Sequence, residues 1–154
     1  MTTGIWVLGD QLWTGQAALS RCEREKQKTS VILIESRNCA QMRPYHRQKL
    51  VLIWSAMRHF AEELRSSGWQ VTYEISDEFA SALQQWVKNN GITQLLVMTP
   101  SDRPFIQIIQ NIKFDCSLTL YRYWGTKCQN IPKINAIPRF KCKYWYIRYV
   151  SRAQ

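Results

Sequence analysis

The feature that most constrains this chain is a regular change of hydrophobic period along its first 121 residues. Residues 4–8, 30–34, 69–73, 94–98 and 117–121 are short apolar runs, often β-branched, as strands buried on both faces should be. Between them the apolar residues recur at helical spacing. The clearest case is residues 46–67, with Leu50, Trp54, Met57, Ala61 and Leu64 on one stripe and Ile53 and Phe60 widening it. Gly68 follows and supplies the left-handed residue that ends a helix. A second helix is expected behind a Ser76-Asp77 cap, burying Phe79, Leu83, Trp86 and Val87 and stopping at Asn90-Gly91. A third starts near Pro104, and a weaker one occupies residues 16–26. Strand alternating with helix predicts an α/β fold: a doubly wound, Rossmann-like, five-stranded parallel sheet in three layers.

Charge divides the chain differently. Of its 154 residues, 21 are Lys or Arg and 11 are Asp or Glu, a net charge of +10. Residues 1–120 hold 13 of the basic and all 11 acidic side chains, so they are nearly neutral. Residues 121–154 hold eight basic side chains and no acidic one, interleaved with seven aromatics after Tyr121. The expected organisation is therefore an α/β domain over residues 1–121 and a basic aromatic tail over 122–154. Cations alternating with aromatics suit phosphate neutralisation and base stacking. They nominate Lys141, Lys143 and Arg148 as nucleic-acid contacts. The competing reading, favoured here, is a linker whose aromatics pack on another domain.

The longest apolar run is five residues, far short of a membrane span, and Asp10 interrupts the N-terminal apolar stretch that a secretory signal would need. A cytoplasmic protein with no membrane partner is expected. Five cysteines fall at spacings of 17, 77, 12 and 14 residues, with no CxxC pair, so this chain is not expected to hold an iron–sulfur cluster or zinc.

In doubly wound sheets, ligands sit beyond the carboxyl ends of the strands, where strand order reverses. That rule nominates Gly9, Asp10 and Gln11 after the first strand, Glu35 and Ser36 after the second, and Thr99, Ser101 and Asp102 after the fourth. Asp10 and Glu35 are expected near one another at the mouth. Two carboxylates favour hydrogen bonds to a polar heterocycle or a polyol and repel phosphate. The first turn also lacks the glycine patterns of dinucleotide and triphosphate sites. The plainer reading of Gly9-Asp10 is a turn that caps the next helix. His46 and His59 lie thirteen residues apart on one predicted helix. That spacing separates them by about 20 Å along the axis, so they cannot share a metal. His46, at the helix start beside Tyr45, is the better site candidate.

The string from Tyr45 to Leu64, YHRQKLVLIWSAMRHFAEEL, preceded by Leu8-Gly-Asp-Gln-Leu12, resembles the photolyase-related proteins of the cryptochrome/photolyase superfamily, in particular the prokaryotic six-four photolyase branch. The resemblance covers residues 4–75 well and 76–121 loosely. It implies an N-terminal α/β domain that can hold a light-harvesting lumazine, joined to a helical domain carrying FAD, an iron–sulfur cluster and the DNA lesion pocket. By that resemblance the chromophore pocket draws on Leu8, Gly9, Asp10, Gln11 and Leu12, with Glu35 and the helix start at His46 nearby. Residues 36–45 contain no carboxylate, whereas the family can supply one to the lumazine from that loop. The helical flavin part lies beyond the sequence seen here, so the expectation is a truncated gene product or a stand-alone domain. It would bind no FAD, would not repair DNA alone, and would work beside DNA or a separate flavin-domain polypeptide. A small-molecule hydrolase or transferase on the same fold is a third reading, with no evident nucleophile–base pair behind it.

Overall fold

A computed structural model describes residues 2–42 and 45–121; the tail, with Lys141, Lys143 and Arg148, lies outside the described residues. Ten elements alternate along the chain. They are β1 (Thr3–Val7), α1 (Ala17–Cys22), β2 (Thr29–Ser36), α2 (Arg37–Gln41), α3 (Arg47–Ser66), β3 (Gln70–Ser76), α4 (Phe79–Asn89), β4 (Gln94–Met98), α5 (Arg103–Asn111) and β5 (Ser117–Tyr121). A 3₁₀ stretch, Glu23–Lys28, extends α1 toward β2. The five strands form one all-parallel sheet in the order β3-β2-β1-β4-β5. This is the doubly wound α/β architecture expected from the alternating periods. Strand order reverses between β1 and β4, which fixes where a crevice can open.

Because side chains alternate across a strand, each strand feeds both faces. Ile5, Val7, Val31, Leu33, Leu96 and Met98 pack against α1 and α3. Trp6, Leu8, Ile32, Ile34, Leu95, Val97 and Leu120 pack against α4 and α5. On that second face Trp6, Phe79 and Phe105 form a ring cluster with centroids 5.2–6.1 Å apart, tying β1 to the starts of both helices. Gly4 is required there: a Cβ would stand 2.8 Å from Trp86 Cη2.

Two helix ends follow the sequence closely. Gly68 and Gly91 take φ of +90° and +58°. In each case the chain closes with paired bonds, Gly68 N–H to Arg65 O with Trp69 N–H to Leu64 O, and Gly91 N–H to Lys88 O with Ile92 N–H to Val87 O. These satisfy the last helical carbonyls before the next strand begins.

Other boundaries differ from expectation. The Ser76-Asp77 pair does not cap α4, whose N-cap is Glu78 without a side-chain bond. The Asp77 carbonyl instead accepts from Ser36 Oγ (2.8 Å) and Asn38 N–H (3.1 Å), joining the ends of β3 and β2. α2 is an element the hydrophobic period did not announce; Ser36 caps it by accepting from Cys39 N–H. No helix among the described residues is long and apolar enough to cross a membrane.

Candidate functional site

The loop after β1 is wound tightly. Gln11 N–H donates to Leu8 O, Trp13 N–H to Gln11 O, and Gln16 N–H to Trp13 O. Its glycine has a packing reason: a Cβ on Gly9 would stand 3.0 Å from Met57 Sδ and 3.3 Å from Ile53 Cγ2, so α3 lies directly on the loop. Leu8 is buried in the α4/α5-side core and Leu12 packs on the α1/α3-side core. Both therefore shape the walls through packing.

Gln11 reaches across the reversal of strand order. It is 4% exposed, and its Nε2 donates to the carbonyls of Met98 and Thr99, each at 3.3 Å. Since carbonyls can only accept, the amide must turn its nitrogen toward β4, and its Oε1 is left without a donor. Gln16, wholly buried, donates from Nε2 to Gln11 O at 3.0 Å and leaves its own Oε1 equally without a partner. The hydroxyl of Thr99 is a third buried oxygen in this condition. Three unpaired polar atoms on residues linked by hydrogen bonds are uncommon in a native interior, where buried polar groups normally find partners.

Asp10 stands at the same rim. Its surface reaches water, yet crowding by surrounding protein raises its carboxyl above the usual value of 3.8, and the Asp102 carboxylate adds to the rise against a lowering backbone bond. The carboxylate that Asp10 senses is thus Asp102, next to the end of β4, whereas Glu35 is taken up by other partners. Glu35 is still inside β2, 3% exposed, and engaged by α3 and β3. Arg58 grips it with Nε at 2.9 Å and Nη2 at 3.1 Å, and the Tyr73 hydroxyl donates a short bond to the same carboxylate. Burial and the adjacent Glu35 push the Tyr73 phenol well above its usual value of 10, so it stays a donor. His46 is the N-cap of α3, exposed, with Nδ1 accepting from Gln48 N–H at 3.3 Å. That bond gives it a local structural task.

The geometry thus brings Asp10, Gln11, Thr99 and Asp102 together and leaves Glu35 and His46 in other arrangements. Sequence reasoning did not single out Gln16, Arg58 or Tyr73. Arg58 carried a readable signal, since it lies four residues after Trp54 and three before Ala61, at the margin of the buried stripe. Gln16 carried none. Two cavities flank the sheet. One of about 330 Å³ is bordered by Cys39, Phe79 and Ile108, and one of about 340 Å³ by Arg58, His59 and Tyr73. Neither is lined by residues 8–12.

Residues 5–146 match the family described as deoxyribodipyrimidine photo-lyase-related protein. A (6-4) photolyase of Agrobacterium fabrum (strain C58 / ATCC 33970) is 39% identical over 82 residues, which is 53% of this chain and 16% of that relative. This chain therefore spans a small part of the relative's length. Among solved structures, one reported as a structure-based assignment of the biochemical function of hypothetical protein MJ0577 aligns with a TM-score of 0.46 and 11% identity, over 79% of this chain and 96% of that one.

Proposed function

Because the chain belongs to the deoxyribodipyrimidine photo-lyase-related family, we propose that residues 1–121 form an antenna-type domain of a light-dependent DNA-repair system. In this reading a lumazine-type chromophore rests in the crevice between the carboxyl ends of β1 and β4. When bound, such a group absorbs near-ultraviolet or blue light and passes the excitation to a reduced flavin held elsewhere. The protein's part is to bind it, orient it and keep water from it.

The observation that carries the reading is the coincidence of the family-like string Leu8-Gly-Asp-Gln-Leu12 with the reversal of strand order, beside buried oxygens that lack donors. A lumazine offers ring N–H and, on a ribityl chain, several O–H groups. Gln11, Gln16 and Thr99 would accept from these, and Ile53 and Met57 of α3 would cover the ring. The Glu35–Arg58–Tyr73 cluster would act from a distance by holding α3 against the sheet.

Titration of 8-ribityllumazine with the 154-residue chain tests this. A saturable rise in fluorescence anisotropy with one site per chain is expected. Flat anisotropy through the micromolar range would refute the reading.

A further inference from the structure

We infer that the outward face of α3 is a self-association surface, on which a second copy of this chain lays its own α3 antiparallel about a two-fold axis. This is independent of what the β1–β4 crevice binds.

A helix resting on a sheet needs one apolar face, and α3 has it in Met57, Phe60, Ala61 and Leu64, all buried. The face turned to water should then carry charge. On α3 it does not. Gln48, Val51, Leu52, Ser55, Ala56 and His59 recur at spacings of three and four, which aligns them in one stripe of about three turns, roughly opposite the buried one. All six are exposed, Val51 by 59% and Leu52 by 70%. Such a second apolar stripe belongs on a helix covered from both sides. Ser55 and Ala56, at its middle, are small enough for another helix to approach to about 8 Å between axes.

Charge says what that other helix is. Arg47 and Lys49 stand in the first turn of α3, and Glu62 and Glu63 in its last two. This order runs against the helix dipole, which favours acids at the start and bases at the end. The other two arginines of α3 are engaged within the subunit, Arg58 by Glu35 and Arg65 by Glu62 and the Val71 carbonyl. Turning a copy of α3 end for end about Ser55 sets Arg47 opposite Glu63 of the partner subunit, and symmetry repeats the pair at the other end. The same rotation sets Val51 opposite His59 of the partner subunit, so the uncharged stripes coincide. A parallel copy would oppose Arg47 to itself, and a partner helix of one charge sign would suit only one end. Self-complementarity of this kind is what an isologous contact needs. A single helix pair is a small interface, so micromolar rather than nanomolar association is expected.

Sedimentation equilibrium of the 154-residue chain across the micromolar range tests this. A reversible monomer–dimer equilibrium is expected. Leu52→Glu, at an exposed position outside both cores, should raise the dissociation constant roughly tenfold or more. Arg47→Glu and Glu63→Arg should each weaken the dimer, because like charges then face each other. An equimolar mixture of those two variants should associate as the parent does, since each carries the sign the other needs. Association indifferent to all three substitutions, as contacts through residues 122–154 would give, overturns the assignment. A parent monomeric throughout the range overturns it too. Faster proteolytic cutting within residues 122–154 in Leu52→Glu than in that monomeric parent would instead give the stripe to the chain's own tail.

Discussion

Glu35 and Gln11 are both buried polar residues near the carboxyl edge of the sheet, and they differ in one respect. The carboxylate of Glu35 is fully answered, by two Arg58 nitrogens from α3 and the Tyr73 hydroxyl from β3. Gln11 ties β1 to β4 through its nitrogen and leaves its oxygen facing no donor, as do Gln16 and Thr99. A satisfied network holds structure together, because each member would be costly to strand alone. An unsatisfied one has a free energy deficit that a ligand can relieve. Under the proposed reading, the contrast separates a fastening from a candidate site within a single sheet edge, although both were nominated by the same positional rule.

Substitutions at the two places should behave oppositely. Glu35→Ala removes three charge-assisted bonds, two from Arg58 and one from Tyr73, and leaves a void under α3, and should lower stability by about 2–4 kcal/mol in urea denaturation. If that variant melts like the parent, Glu35 is not a fastening. Tyr73→Phe deletes one bond to the carboxylate and should cost about 1–2 kcal/mol. It should also change the alkaline limb. With the folded-state pKa of Tyr73 raised, the parent keeps this contribution below the ordinary tyrosine value of 10 and loses it progressively as pH climbs beyond that. The Phe variant should lack that component of the decline.

Gln16→Leu gives the opposing result. It forfeits the bond to Gln11 O but removes an oxygen that has no partner, so stability should move by less than about 1 kcal/mol. A loss as large as that for Glu35→Ala would erase the distinction between the two regions. Asp10→Asn should have the smallest effect. The carboxyl's pKa is raised in the folded chain, so its ionisation works against folding as pH rises past its folded-state pKa. The Asn variant should gain slightly on the parent at neutral pH and show no gain below the ordinary carboxylate value of 3.8. Thermal melts at the two pH values measure this.

Periodicity made the five strands, α3, α4 and their glycine ends legible, because burial on both faces and the left-handed residue each leave a mark in sequence. The length of β2 was not legible. Glu35 and Ser36 read as the polar residues following a strand, yet Arg58, Tyr73 and the Asp77 carbonyl supply partners that let the strand run on to Ser36. α2 was missed because it is short and buries none of its residues. At the candidate site, Asp10, Gln11, Thr99 and Asp102 were within reach of a topological rule that needs only strand order. Gln16 was not, since a glutamine at a weakly patterned helix start gives no hint of being wholly enclosed. His46 was drawn to the site by its residue type, whereas its ring Nδ1 accepts from the Gln48 backbone N–H.

The two positive-φ glycines have a consequence for how such a domain can vary. Both Gly68 and Gly91 lie where helices hand over to β3 and β4. There Thr93 N–H also bonds Thr2 O, and Ser117 N–H bonds Thr93 O. One rim of the sheet is thus tied across β1, β4 and β5 by main-chain bonds, and at the opposite rim Gln11 and Ser36 add side-chain bonds to the main-chain bonds of the loops. Exchanging residues on the loop rim can retune what is recognised without disturbing the hem that keeps the strands in register, so recognition and architecture can drift at different rates within one small fold.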